Sequence, residues 1–246
     1  MLSKLVPPHL PLLTVFGLLF VVIGAAQSLT LLYLASENLP MLEQFLFQAF
    51  SGTVDVLFPF LMMTLALGLM AAEIESGLIR HYAAAPYSRR SIFTYHCTLL
   101  YLASCFYLLL YLLSVSTPFV LRQLVVPSTS VLIWIPVVLL TPLSFLVIQL
   151  LLLFFYFVTR SSVGAFATTL VLLFLSELVA GITGLYSFFP STNISLSAQW
   201  VSEWTNGFHP EAYSLVAGLT GVIAWSIILY IVNLRLFSGL NLHAHV

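Results

Sequence analysis

Apolar residues in this chain run in long blocks separated by short polar breaks. A bilayer core about 30 Å thick needs roughly 20 mostly apolar residues per helical crossing. Six blocks reach that length, at 10–35, 54–72, 92–119, 131–158, 163–185 and 213–237. The pattern predicts an all-α membrane protein, a bundle of six transmembrane helices with short connections. The first block is longer than the apolar region of a secretion signal and reads as a span. Pro136 and Pro142 fall inside the fourth block. Neighbouring helices re-satisfy carbonyls freed by proline in a membrane, so a kink is expected there rather than a break.

Composition supports this class. Hydrophobic residues make up 61% of the 246 positions and charged residues 6%, whereas a soluble domain carries about a quarter charged residues. So few charges cannot cover a core with a surface that water accepts, so lipid is the expected solvent. The formal net charge of −1 gives no argument for binding nucleic acid.

Charge placement orients the chain. With the N-terminus inside, Lys4, Arg80, Arg89, Arg90, Arg160 and Arg235 lie on the cytoplasmic side and only Arg122 lies outside. Positive charge favours the cytoplasmic side, so both termini are expected there. Two connections are longer than the rest: an inner segment, 73–90, and an outer one, 186–212, which carries Trp200 and Trp204. Tryptophans suit the headgroup level, and short interfacial or re-entrant helices are expected in the outer segment.

The inner segment reads Glu73-Ile74-Glu75-Ser76-Gly77-Leu78-Ile79-Arg80 and continues to Pro86-Tyr87-Ser88-Arg89-Arg90. On a helix, Ile74, Leu78, Tyr82 and Ala85 share an apolar stripe, with Glu73, Ser76 and Arg80 facing elsewhere. Pro86 ends that helix, and Ser88 is placed to cap the next span. Residue chemistry alone leaves two readings open, a snorkelling basic loop or a helix that docks on a cytoplasmic partner.

Glu75-Ser76-Gly77-Leu78, followed by Pro86-Tyr87-Ser88-Arg89, resembles the signature after span two in type 2 permeases of ATP-binding-cassette (ABC) exporters. Layout is similar over the whole chain, and the motif covers about 20 residues. Thr94-Tyr95-His96 departs from the family pattern, which often has Gly-Lys early in span three. The resemblance implies one transmembrane permease domain over 1–246, in the plasma membrane and working as a dimer with a second copy or a related permease. It further implies that Glu73, Glu75, Gly77, Leu78, Arg80, Pro86, Ser88 and Arg89 belong to a coupling segment docking on a cytoplasmic ABC ATPase. The lone lysine is Lys4, so a Gly-x-x-x-x-Gly-Lys phosphate loop is impossible in this sequence. ATP would therefore be used by a separate partner subunit, with no cofactor or metal bound by this chain and no catalytic activity of its own.

Glu177 lies about 15 residues into the fifth block, roughly 22 Å from its inner end. Acids at that depth face a bundle interior or water. Glu177 is therefore a candidate for a translocation path, or else a hydrogen-bonded boundary acid. It also supports an alternative function, an ion- or proton-coupled carrier. An intramembrane hydrolase is the weaker alternative, because the chain contains no Gly-x-Ser, His-Glu-x-x-His or Glu-Glu motif. His81 and His96 are placed on the inner side and His209 on the outer, so they cannot converge on one ion and are read as structural or solvated. Cys97 and Cys105, eight residues apart on one helix, are separated by about 12 Å of rise, too far for a disulfide.

Overall fold

The computed structural model describes residues 10–34, 53–54, 57–76, 88–121, 128–183 and 212–240. Among them no strand occurs. The helices are α1 (Leu10–Leu34), α2 (Leu57–Glu75), α3 (Arg89–Leu121), α4 (Ser128–Thr159), α5 (Ser162–Thr183) and α6 (Ala212–Ser238). Five of the six, all but α5, hold stretches long and apolar enough to cross a membrane. In α5 the fully described apolar stretch is the shorter Ser162–Ser176, and the backbone helix continues to Thr183. The chain thus has the architecture of a multi-pass membrane protein. α4 runs unbroken through Pro136 and Pro142, so neither proline ends the helix.

Burial identifies the hub. Within Thr141–Thr159 of α4, 67% of the apolar 18-residue window is buried, against 17% of that within Gly218–Ser238 of α6. α4 touches α2, α3, α5 and α6, while α1 leans mainly on α3. The outer faces are apolar too, with Leu18, Phe106, Val163 and Ile182 largely exposed. Lipid tails are as apolar as those side chains, so burial alone does not drive such helices together. Close packing and interhelical hydrogen bonds must do so.

Both are visible. Phe58 of α2 sits edge-on to Phe20 of α1 at 4.5 Å and to Tyr111 of α3 at 4.9 Å, with Phe145 of α4 at 5.9 Å. One ring therefore joins four helices. Around it Tyr107 donates to the Leu13 carbonyl at 2.9 Å and Ser114 to the Val21 carbonyl at 2.9 Å. Deeper in the bundle the Gln149 amide donates to the Met62 carbonyl at 3.3 Å, and that of Asn233 to the Leu150 carbonyl at 2.8 Å. Such polar contacts contribute about 0.6 kcal/mol each in a membrane bundle, enough in number to fix register.

The α4–α5 corner is two residues long. Arg160 adopts a left-handed φ of 56° and its N–H bonds to the Tyr156 carbonyl at 2.9 Å, closing α4. Ser161 then caps α5, its Oγ accepting from the Gly164 N–H at 3.1 Å.

Candidate functional site

The polar end of the bundle gathers the termini of five helices. α2 ends there at Glu75, α3 begins at Arg89, α4 and α5 meet at Arg160, and α6 ends at Ser238. The described arginines Arg89, Arg90, Arg160 and Arg235 all belong to this end.

α2 reaches it through an irregular turn. Residues Leu67–Ala71 form a π-helix, in which the Ala72 N–H bonds to the Leu67 carbonyl. Single π turns recur at functional sites because they widen the helix and disturb its hydrogen-bond ladder. The Tyr156 hydroxyl of α4 donates to the Ala71 carbonyl at 3.4 Å. Gly68, within the turn, lets Leu12 of α1 approach so closely that a Cβ there would meet its Cδ2 at 2.8 Å.

Beyond the π turn α2 resumes as α-helix over Ala72–Glu75 and stops at Ser76. Glu73 and Glu75, which the sequence places in the inner segment 73–90, form the last turn of the helix that begins at Leu57. Glu73 turns inward. It is 4% exposed, and its Oε2 lies 2.7 Å from Nε2 of His96 on α3, itself 2% exposed. The physical reason is the helical stripe: Phe58, Met62, Ala66, Leu69 and Glu73 recur every three or four residues, so Glu73 shares the buried face. The other ring nitrogen of His96, Nδ1, is 2.8 Å from the Ile92 carbonyl. The Tyr95 ring stands edge-on to the imidazole at 5.6 Å.

Glu75 is exposed, and its Oε1 accepts from Ser162 Oγ, the first residue of α5, at 2.7 Å. Ser88 caps α3 as its sequence position suggests, its Oγ accepting from the Ser91 N–H at 3.1 Å. Arg89 turns to the end of α6, donating to the carbonyls of Ser238 and Leu240. A cation at a helix C-terminus meets unpaired carbonyls and the negative end of the dipole. Gly77, Leu78, Arg80 and Pro86 lie outside the described residues, as does the outer segment 186–211. Glu177 belongs to α5, on its last two turns and away from this end, and its side chain is outside the described set. No group of three or more metal-ligating side chains occurs among the described residues.

The structure therefore ties three of the sequence-selected residues, Glu73, Glu75 and Arg89, to other helices, gives Ser88 a local cap, and adds His96, which the sequence reads as structural or solvated. A signal for it existed: His96 interrupts the buried stripe Phe93, Leu100, Ser104, Tyr107 at helical spacing.

The Arg89 contact has a measurable consequence. In Arg89→Gln the last turn of α6 should fray. Amide exchange at Gly239 and Leu240, now bonded to Arg235 and Phe237, should quicken several-fold. That corresponds to about 0.3–1 kcal/mol for a charge at a helix end. Arg89→Lys should lie between the two, and exchange unchanged in both variants would show that the guanidinium holds nothing.

Set against family models, characterised proteins and solved structures, the chain matches none of them.

Proposed function

We propose that this chain is the membrane-spanning permease subunit of an ATP-driven exporter of the type 2 ABC class. In this reading all six helices span the plasma membrane, with both termini in the cytoplasm. Two permease chains line the path, and a separate cytoplasmic ATPase supplies the energy. The observation that carries the reading is how the two ends of segment 77–87 are fastened. On one side Glu73 is held to α3 through His96 and Glu75 to α5 through Ser162. On the other, Arg89 is held to the end of α6. A force applied to that short connection would be delivered to three helices at once, which is what coupling to an external ATPase demands. The arginines at the same end support a cytoplasmic location by the positive-inside rule.

The test is co-expression with candidate ABC ATPases of the host, scoring complex recovery, ATP hydrolysis and transport together. Gly77→Leu, which adds bulk at a position of expected close approach, should uncouple hydrolysis from transport or block assembly. Arg80→Glu should be milder, since rim charges set encounter more than affinity. Normal assembly and transport in both variants would remove segment 77–87 as the docking site.

A second reading, a proton-coupled carrier, is favoured by one observation, the buried carboxylate–imidazole pair. Buried ionisable pairs in membrane bundles mark proton relays. Transport abolished by a protonophore and indifferent to ATP would select it over the first.

A further inference from the structure

We propose that the flank formed by α3 and α6 at the polar end binds one anionic phospholipid, its headgroup held by Arg90 and Arg235 and its chains laid along the apolar strips that follow them. The inference goes beyond the exporter reading and holds whichever energy source drives transport.

Two ladders of exposed side chains carry it. On α3, Arg90, Thr94, Thr98 and Leu102 follow at steps of four, and each is exposed. On α6, read from the same end, Arg235, Ile231, Ile227 and Ile223 do the same. Residues four apart on a helix are surface neighbours, so each set forms one strip. The two helices lie side by side and antiparallel. Arg89 donates to the Ser238 and Leu240 carbonyls, the Phe93 ring lies 5.5 Å from that of Tyr230, and Thr94 Oγ1 is 2.8 Å from Tyr230 Oη. From that last contact both arginines lie toward the polar end. Arg90 is about 6 Å of helical rise from Thr94, and Arg235 about 7.5 Å from Tyr230. They stand at nearly the same depth.

Charge selects the occupant. Neither guanidinium has an ion pair or hydrogen bond among the described residues. The acids described at this end are engaged on other helices, Glu73 with His96 and Glu75 with Ser162. Two unneutralised cations at one depth attract an anion, and the guanidinium fork matches phosphate oxygens. Basic clusters between membrane helices recognise anionic headgroups in this way. Further in on α3, the Thr94 hydroxyl donates to the Arg90 carbonyl at 2.7 Å and that of Thr98 to the Thr94 carbonyl at 2.9 Å. Tyr230 must then be the donor to Thr94. These hydroxyls are satisfied without water, which suits the ester level of a lipid. Beyond them both strips are apolar, with Leu102 57% and Ile227 54% exposed. Each strip runs about 18 Å from its arginine to its last residue. One leaflet, half of a bilayer about 40–45 Å thick, is about 20–22 Å deep. Cation first, hydrocarbon last, over the depth of one leaflet, is the profile of one phospholipid; a protein partner would have to bring an acid to that same level.

The test takes the full chain in detergent micelles, titrated with phosphatidylglycerol or phosphatidylcholine and read by native mass spectrometry. We expect one phosphatidylglycerol to bind roughly 25-fold more tightly than phosphatidylcholine, about fivefold for each arginine. Arg90→Gln and Arg235→Gln should each remove about fivefold of that preference, and the double variant nearly all of it. Arg160→Asn is the control. It removes another exposed arginine of the same end, from the α4–α5 corner, with a side chain that tolerates the left-handed backbone there, and should keep the preference. In nanodiscs, phosphatidylglycerol with a diazirine on one acyl chain should cross-link to α3 and α6. Four results would each overturn the proposal. They are no preference in the parent, a preference that survives in the double variant or falls equally in Arg160→Asn, glycerol phosphate competing as well as the whole lipid, and cross-links that avoid α3 and α6, which would leave the flank to a protein partner. If the double variant does not fold, the parent's preference, the competition and the cross-links still decide.

Discussion

Gly24→Leu is expected to detach α1 from α3 and abolish recovery of folded protein. A Cβ at Gly24 would lie 2.9 Å from Ser114 Cβ and 3.1 Å from the Tyr111 carbonyl oxygen. Neither neighbour is the free end of a flexible side chain, so relief requires the two helix axes to part. The same approach allows Ser114 to reach the Val21 carbonyl at 2.9 Å, and that bond would be lost with it. Even Gly24→Ala should cost about 1–3 kcal/mol, the usual penalty for overpacking. Gly17 on the same helix is the control. Its Cβ would meet Leu110 and Tyr107 at 3.6 and 3.7 Å, ordinary contact distances. Since alanine is a better helix former than glycine by up to about 1 kcal/mol, Gly17→Ala should be neutral or slightly stabilising. Thermal unfolding in detergent, read by size-exclusion recovery, separates the three variants. Equal recovery of Gly24→Leu and the parent would mean that α1 does not pack on α3 at this contact.

Phe58→Ala should be the most damaging truncation in the aromatic core. The ring is fully buried and meets aromatic partners on α1, α3 and α4. Large-to-small changes in soluble cores cost about 3–5 kcal/mol for phenylalanine, part transfer and part cavity. In a bilayer the transfer part shrinks, because the alternative surroundings are also hydrocarbon. The cavity part and the lost edge-on ring contacts remain, so a loss of about 2–4 kcal/mol is expected. Phe58→Leu fills most of the space and should cost roughly half as much. The measurement is the denaturant midpoint in mixed micelles, and a Phe58→Ala midpoint within error of the parent would contradict a core built on this ring. Leu102→Ala on the exposed face should leave it unchanged, since most of that side chain lies outside the packed core.

Where sequence reasoning fell short, the reason is specific. A Cβ at Gly164 in α5 would meet only Thr159 and Ser161, from its own corner. Among the described glycines the close interhelical approaches are made at Gly24 and Gly68, and spacing within one helix carries no information about what stands opposite. The apolar block ends at residue 72, while α2 continues to Glu75 with Glu73 buried. Hydropathy treats a carboxylate as solvated, while the bundle supplies His96 from 23 residues away. The π turn at Leu67–Ala71 has no mark in its residues Leu-Gly-Leu-Met-Ala that sets it apart from α-helix. Ser88 was legible as a cap because capping is local chemistry, settled within three residues.

The sequence by itself determined the solvent and the class. Long apolar blocks with 6% charge leave helices in lipid as the stable arrangement, because an unpaired backbone group in hydrocarbon is too costly to tolerate. It determined the helix starts wherever a local cap decides them. The tertiary structure alone decided which helix is the hub, which glycines carry contacts, and that an acid and a histidine on different helices share one site. Those depend on how faces meet, and in a medium as apolar as the side chains the choice of face comes from shape and hydrogen bonds. Neither can be read from the hydrophobicity of either partner.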